Sequence, residues 1–211
     1  YVGYFFQAHS LNPRTEIIER QIVISEKDIP RNLFLTFPRV SEDIVARPME
    51  PINIIAVAGY KDLTAAFGKA GWFLADSITA RNSWRLFIAS IFNQSYRQAP
   101  GMPSFWNARP NDFAYEQPTT ADTVRERHHI HFWKTAFITD DGENIWFGTA
   151  HFDKTIRITS GIFLPTHIID PAVDKERDKI MDDLLKTGLV RLFQEFQITE
   201  PTLGNNQSGD P

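Results

Sequence analysis

Residues 127–153 read RHHIHFWKTAFITDDGENIWFGTAHFD, two alternating runs on either side of Asp140-Asp141-Gly142. Successive side chains on a strand point to opposite faces, so this stretch predicts a β-hairpin with arms at 127–138 and 144–153. On the first arm His129, His131 and Trp133 share one side, and His128, Ile130 and Phe132 share the other. On the return arm Thr149, His151 and Asp153 share a side. A three-residue loop with Gly142 in the left-handed region pairs Thr139 with Glu143, which sets His131 opposite His151 and His129 opposite Asp153. A two-residue Asp141-Gly142 turn would slip the register by one and dissolve that grouping; the position of the glycine favours the longer loop. His129, His131, His151 and Asp153 on one face are then candidate ligands for zinc or another divalent ion. Hydrogen-bonded packing residues are the plainer alternative for the same four.

Outward from the hairpin, the apolar run at 52–59 reads as a strand. A short helix follows, with Leu63, Ala66, Phe67 and Ala70 on one side and Gly71 placed to end it. Residues 72–74 return as a strand. Trp84, Phe87, Ile88, Ile91 and Phe92 recur at i, i+3, i+4, i+7 and i+8, a helical stripe most simply read as core packing. Between 99 and 118 the chain carries Pro100, Pro103, Pro110 and Pro118 around Phe105 and Trp106, so a long irregular excursion is expected, of the kind that forms lids or binding surfaces. After the hairpin, Asp170 as cap, Pro171 at the first helical position and Gly188 as stop bound a last helix lined by Val173, Ile180 and Leu184. Residues 189–196 suit a strand or a helical continuation. These elements predict an α+β fold: a mixed or mostly antiparallel sheet with helices packed on one side, plus an extended N-terminal arm. The arm is placed at residues 1–50, the domain at 51–197 and a flexible tail at 198–211. The opening Tyr1-Val2-Gly3-Tyr4-Phe5-Phe6 reads as a buried first strand, with the trailing end of a membrane segment as the alternative.

Composition narrows the function classes. Twenty-two Lys and Arg against 26 Asp and Glu leave a net charge of −4 in 211 residues, which argues against the basic footprint of a nucleic-acid partner. Cysteine is absent, excluding disulfides, thiolate nucleophiles and thiolate-bound metal. No G-x-S-x-G elbow, Walker loop, G-x-G-x-x-G, H-E-x-x-H or EF-hand loop occurs.

A second candidate site lies at Thr166-His167-Ile168-Ile169-Asp170-Pro171, leading into Asp174, Glu176, Arg177 and Asp178. His167 precedes a helix N-terminus, where free N–H groups favour an anion, and Arg177 lies about two turns into that helix. Capping and solvated charge are the plainer roles for Asp170 and its neighbours.

Pro48-Met49-Glu50-Pro51-Ile52-Asn53, Ala70-Gly71-Trp72, Arg127-His128-His129 with Trp133, and the run from Thr166 to Asp178 occur in this order. The chain from about Phe37 to Arg191 thereby resembles the LssY carboxy-terminal-domain family. The resemblance implies a bacterial, membrane-associated envelope domain that often follows membrane-embedded segments, and hence a membrane-embedded segment or membrane protein as partner. Its pattern falls on His128, His129, Asp153, His167, Asp170, Asp174 and Arg177, without requiring His131 or His151, and implies a site where His129, Asp153, His167 and Arg177 converge. Asn107-Ala108-Arg109 departs from the family's aromatic–glycine–arginine triplet. Three functions follow as expectations. The first is an accessory domain binding a small anionic group through His128, His129, His167, Asp170, Asp174 and Arg177. The second is a metal-dependent hydrolase of phosphate esters, with His129, Asp153, His167 and Arg177 as catalytic candidates. The third is a structural subunit docking through exposed Phe105 and Trp106.

Overall fold

A computed structural model describes residues 21–29, 33, 37–158 and 165–197, leaving aside the side chains of 156–158 and 165–167. The opening strand expected at residues 1–6 and the tail at 198–211 lie outside the described residues. In chain order the elements are β1 (Ile22–Ile24), β2 (Val40–Glu42), β3 (Pro48–Pro51), β4 (Ile54–Val57), α1 (Tyr60–Lys69), β5 (Phe73–Leu74), α2 (Ala80–Phe92), β6 (Phe105–Trp106), β7 (Arg109–Pro110), β8 (Phe113–Pro118), β9 (Arg127–Thr139), β10 (Asn144–Ile158), β11 (Pro165–Ile169) and α3 (Val173–Lys186).

The β9–β10 hairpin is the spine of a seven-stranded sheet. β4 and β11 share the outer edge of β10, while β8 and β1 share that of β9, and β5 lies beyond β8. Every pairing in it is antiparallel except β1 with β9. A second sheet, β3-β2-β6-β7, has four short strands. The α+β class and the mostly antiparallel sheet are as the sequence predicts. The N-terminal stretch supplies strands to both sheets, and Ile24, Ile29 and Leu33 are buried.

Alternation along the hairpin gives each face its own core. Ile130, Phe132, Trp146 and Ala150 project to one face, where Leu63 and Phe67 of α1 and Ile180 and Leu184 of α3 cover them. Phe67 stacks on Tyr115 with ring centroids 4.8 Å apart and meets Phe132 edge-on. Trp133, Ile145 and Phe147 project to the other face, under Ile52, Trp106 and Leu33. The helices α1 and α3 thus occupy one side of the sheet, and the small sheet with its connections occupies the other.

The turn forms as expected: Gly142 has φ +82° and Thr139 N–H donates to the Glu143 carbonyl at 2.9 Å. The register then departs from the simple count. Ile138 pairs with Asn144, but Lys134 pairs with Trp146, so β9 carries two extra residues at a bulge. There Thr135 Oγ1 donates to the Ile145 carbonyl at 2.8 Å and accepts from Phe137 N–H at 3.1 Å. His129 therefore sits opposite His151, and His131 opposite Thr149, not His151. Asp153 faces Arg127 in place of His129. A shift of two keeps every side chain on its expected face, because the pleat repeats every two residues.

Other expectations are corrected. The proline-punctuated excursion ends early, because β8 joins the main sheet and β6–β7 the small one. Trp106 is buried, with its indole N–H donating to the Pro38 carbonyl at 2.9 Å. The last helix begins at Val173; Asp170 accepts from Ala172 N–H at 2.8 Å in a turn ahead of it. Residues 189–196 form neither strand nor helix. The stripe on α2 is not core: Trp84, Phe87, Ile91 and Phe92 are exposed, and Ala89 is the buried residue of that helix.

Candidate metal centre

On the face opposite α1 and α3, three strands bring their side chains into rungs. Across β8, β9 and β10 the middle rung is Glu116, His129 and His151; one flanking rung is Ala114, His131 and Thr149, and the other is Pro118, Arg127 and Asp153. Small side chains at Ala114 and Thr149 leave the space beside His131 to the imidazoles. All of His129, His131, His151, Glu116, Arg127 and Asp153 are buried.

The three imidazoles converge. Each offers a ring nitrogen within 4.8 Å of the other two. His129 Nε2 and His131 Nε2 lie 2.8 Å apart in a hydrogen bond, and the His129 and His151 rings stack with centroids 5.1 Å apart. Behind them stand carboxylates: Glu116 Oε1 is 2.6 Å from His129 Nδ1 and Asp153 Oδ1 is 3.5 Å from His151 Nε2. Arg127 Nε joins the two acids, 3.0 Å from Glu116 Oε2 and 3.3 Å from Asp153 Oδ2. A carboxylate behind a histidine sets its tautomer and ring angle, which is how ligating imidazoles are held.

Two of the rings are pushed in opposite directions. For His131, desolvation and then the neighbouring imidazoles hold the ring well below the ordinary histidine range. Desolvation also disfavours the charged form of His151, but Asp153, Glu50 and Glu116 outweigh it and raise the pKa to about 9. Without a metal ion, His131 therefore favours the neutral ring and His151 the protonated one near pH 7, and an ion on His151 would displace that proton. Glu50 on β3, itself buried, brings a third carboxyl group to the centre.

Gly101 closes the roof. A Cβ there would lie 2.4 Å from His129 Cε1 and 3.0 Å from its Nε2, so only glycine lets the backbone approach the ring this closely. At the side, Tyr96, Arg97, Thr123, Glu116 and Arg127 line a narrow cleft of about 10 Å³, room for about one water. Arg127 Nη1 and Nη2 are buried without a hydrogen-bond partner among the described residues.

The LssY C-terminus family matches residues 35–211. The chain belongs to that family. No curated protein and no solved structure matches it.

In this LssY C-terminal domain the residues that the family pattern singles out are divided by the sheet. His129 and Asp153 belong to the buried centre. His128 points to the opposite face, where its Nδ1 lies 2.8 Å from Glu176 Oε2 on α3. Arg177 pairs with Asp174 at 2.9 Å and Asp178 at 2.7 Å on the same helix, and Asp170 pairs with Lys154 at 3.2 Å. His167 stands opposite Ile156 in the β10–β11 ladder, and its side chain lies outside the described residues. Of the convergence expected of His129, Asp153, His167 and Arg177, the first two meet in the buried centre, whereas Arg177 stays with Asp174 and Asp178 on α3, which packs on the far face. His131 and His151, which the family pattern does not require, complete the cluster instead. Sequence reasoning missed Glu116, Glu50 and Gly101 as parts of the centre and gave Arg127 no role. The aromatic spacing of Phe113 and Tyr115, which sets Ala114 and Glu116 on the opposite face of a strand, was the signal for Glu116, obscured by Pro110 and Pro118. No helix among the described residues is long and apolar enough to cross a membrane.

Proposed function

We propose that this domain binds a divalent transition-metal ion on His129, His131 and His151. The observation that supports the reading is the mutual approach of three buried ring nitrogens within 4.8 Å on one sheet face. Imidazole nitrogen suits zinc and its first-row neighbours, and a chain without cysteine offers no softer ligand. The surrounding charge agrees: Glu50, Glu116 and Asp153 outnumber Arg127, so the pocket favours a cation. Glu116 and Asp153 orient the rings, and Arg127 holds both acids.

Three protein ligands are the number found in catalytic zinc sites, where the remaining position takes water. Such an ion, when bound, supplies a water acidified to near neutrality. The guanidinium of Arg127, beside the centre and along a water-sized cleft that reaches Glu116, suits an oxyanion, and we infer hydrolysis of a small substrate bearing one, such as a phosphate ester, as the use of the centre.

The test is calorimetric titration of zinc, manganese and cobalt into chelator-treated protein, alongside elemental mass spectrometry of the protein as purified. One ion per chain is expected, with affinity falling by about 100-fold or more in His131→Ala and His151→Ala and unchanged in His128→Ala. Absence of binding at micromolar metal, or binding indifferent to His151→Ala, overturns the reading. Turnover of p-nitrophenyl phosphate by the loaded protein then separates a hydrolytic ion from a purely structural one.

A further inference from the structure

Helix α2 is built inside out. Its buried contact with the domain is Ala89, in a small cluster with Tyr96, Ala99 and Val124 on which Leu86 packs. Its large side chains face away: Trp84 and Phe92 are each 64% exposed and Ile91 51%. Trp84 and Phe87 stack on one another with ring centroids 5.5 Å apart, so the pair forms a preassembled aromatic surface. An exposed apolar stripe of this kind on an ordered helix marks a face that meets something.

The charge pattern identifies what it meets. Residues 77–111 contain Arg81, Arg85, Arg97 and Arg109 and no acidic residue, in a chain whose net charge is −4. Arg97 and Arg109 are paired with Asp122 and Asp112. Arg81 and Arg85, on α2 itself, have no acidic partner among the described residues, and Arg85 lies over the Tyr96 ring, 3.9 Å from its centroid. At 100° per residue, Trp84, Phe87 and Ile91 form one stripe and the two arginines border it. Aromatic side chains at the centre with cations alongside and no anion suit the interface of an anionic lipid bilayer, where Trp sits at headgroup level and Arg meets phosphate. In a two-fold pairing of α2 with a second copy the arginines would face one another, with no acidic residue on the helix to answer them.

We propose that α2 docks this domain flat onto an anionic membrane surface, with Trp84, Phe87, Ile91 and Phe92 entering the interface and Arg81 and Arg85 contacting lipid phosphates. This assignment is independent of the metal centre, which lies within the sheet.

Trp84 makes the test selective. The other four tryptophans, Trp72, Trp106, Trp133 and Trp146, are all buried, at 4% exposure or less. Acrylamide quenching of the intact chain therefore reports on Trp84. With vesicles of phosphatidylcholine containing one third phosphatidylglycerol, Trp84 becomes shielded from acrylamide and the protein floats with the vesicles. With pure phosphatidylcholine, binding is weaker by about thirtyfold, as expected for an electrostatic contribution from two arginines. Trp84→Ser/Phe92→Ser abolishes flotation while circular dichroism stays unchanged, and Arg81→Gln/Arg85→Gln removes the preference for the anionic lipid. No flotation with either vesicle overturns the proposal, as does flotation that survives Trp84→Ser/Phe92→Ser. A concentration-dependent dimer in sedimentation, broken by that same pair of substitutions, would place a second copy on the face and also overturn it.

Discussion

His128 and His129 are consecutive residues with opposite fates. His129 enters a buried centre, 2.6 Å from Glu116 and 2.8 Å from His131, on a face roofed by Gly101. His128 crosses to the helical face, packs beside Trp72 and Phe152 and meets Glu176 at 2.8 Å, with part of its ring in water. The two faces solve burial differently. The helical side buries aromatic and aliphatic bulk with one carboxylate, Glu176, against His128, and keeps its other charges at the margin. The other side buries an ionic group of three carboxyl side chains, a guanidinium and three imidazoles. Such a group costs more to desolvate than an apolar core of equal volume, and a histidine belongs to one regime or the other by strand parity alone.

The largest effect that would sharpen this contrast is the loss of the guanidinium. Arg127→Met leaves Glu116 and Asp153 buried together without their shared cation, and an expected cost of about 3–5 kcal/mol follows. His128→Ala on the opposite face is expected to cost about 1–2 kcal/mol, the scale of one hydrogen bond. Urea denaturation of both variants measures the difference. Equal losses would break the comparison.

Next in size is the roof. Gly101→Ala sets a methyl group 2.4 Å from His129 Cε1, and the overpacking is expected to cost about 1–3 kcal/mol. The same variant should weaken metal binding, since the ring must turn away. Gly142→Ala, where nothing lies within 4 Å, strains only its own backbone and should leave metal binding intact.

The smallest effect belongs to the helical margin. Burial acts to raise the Asp183 carboxyl, but Lys179 at 2.6 Å and the Trp72 indole N–H at 3.2 Å prevail and hold it below the ordinary aspartate value of 3.8. A depressed carboxyl contributes stability above its unfolded pKa and loses it as pH falls through the folded value. Asp183→Asn should therefore lower stability by no more than about 1 kcal/mol at pH 7, with the gap closing below pH 3.8 as wild type protonates. Thermal midpoints of both proteins across that range check it; a gap that persists in acid assigns the loss to packing.

Much of this architecture is legible in the sequence. Alternation at 127–138 and 144–153 predicted the spine of the sheet, and the glycine at 142 predicted its turn. The grouping of His129, His131, His151 and Asp153 on one face survived even though the pairing moved, because the bulge at Thr135 inserts two residues and two is the period of the pleat. The partners of that group were less legible. Glu116 lies in a six-residue strand between prolines, and proline signals weakened a pattern that depends on few positions. Helix α2 shows the same limit from the other side: its 3.6-residue stripe was correctly read as a helix and incorrectly assigned to the core. Arg177 was expected at the centre from its place in a motif, yet the sheet stands between them.

Periodicity is a local property, set by the pleat and by the helical turn, and the residues alone therefore determined which side chains share a face and where the hairpin reverses. Which face is covered, and by what, is decided by long-range packing. The small sheet rather than a helix came to lie over the histidines, α3 came to lie over His128, and nothing among the described residues came to cover Trp84. These choices depend on contacts between segments far apart in the chain, whose cost in loop closure and gain in burial no local stretch records.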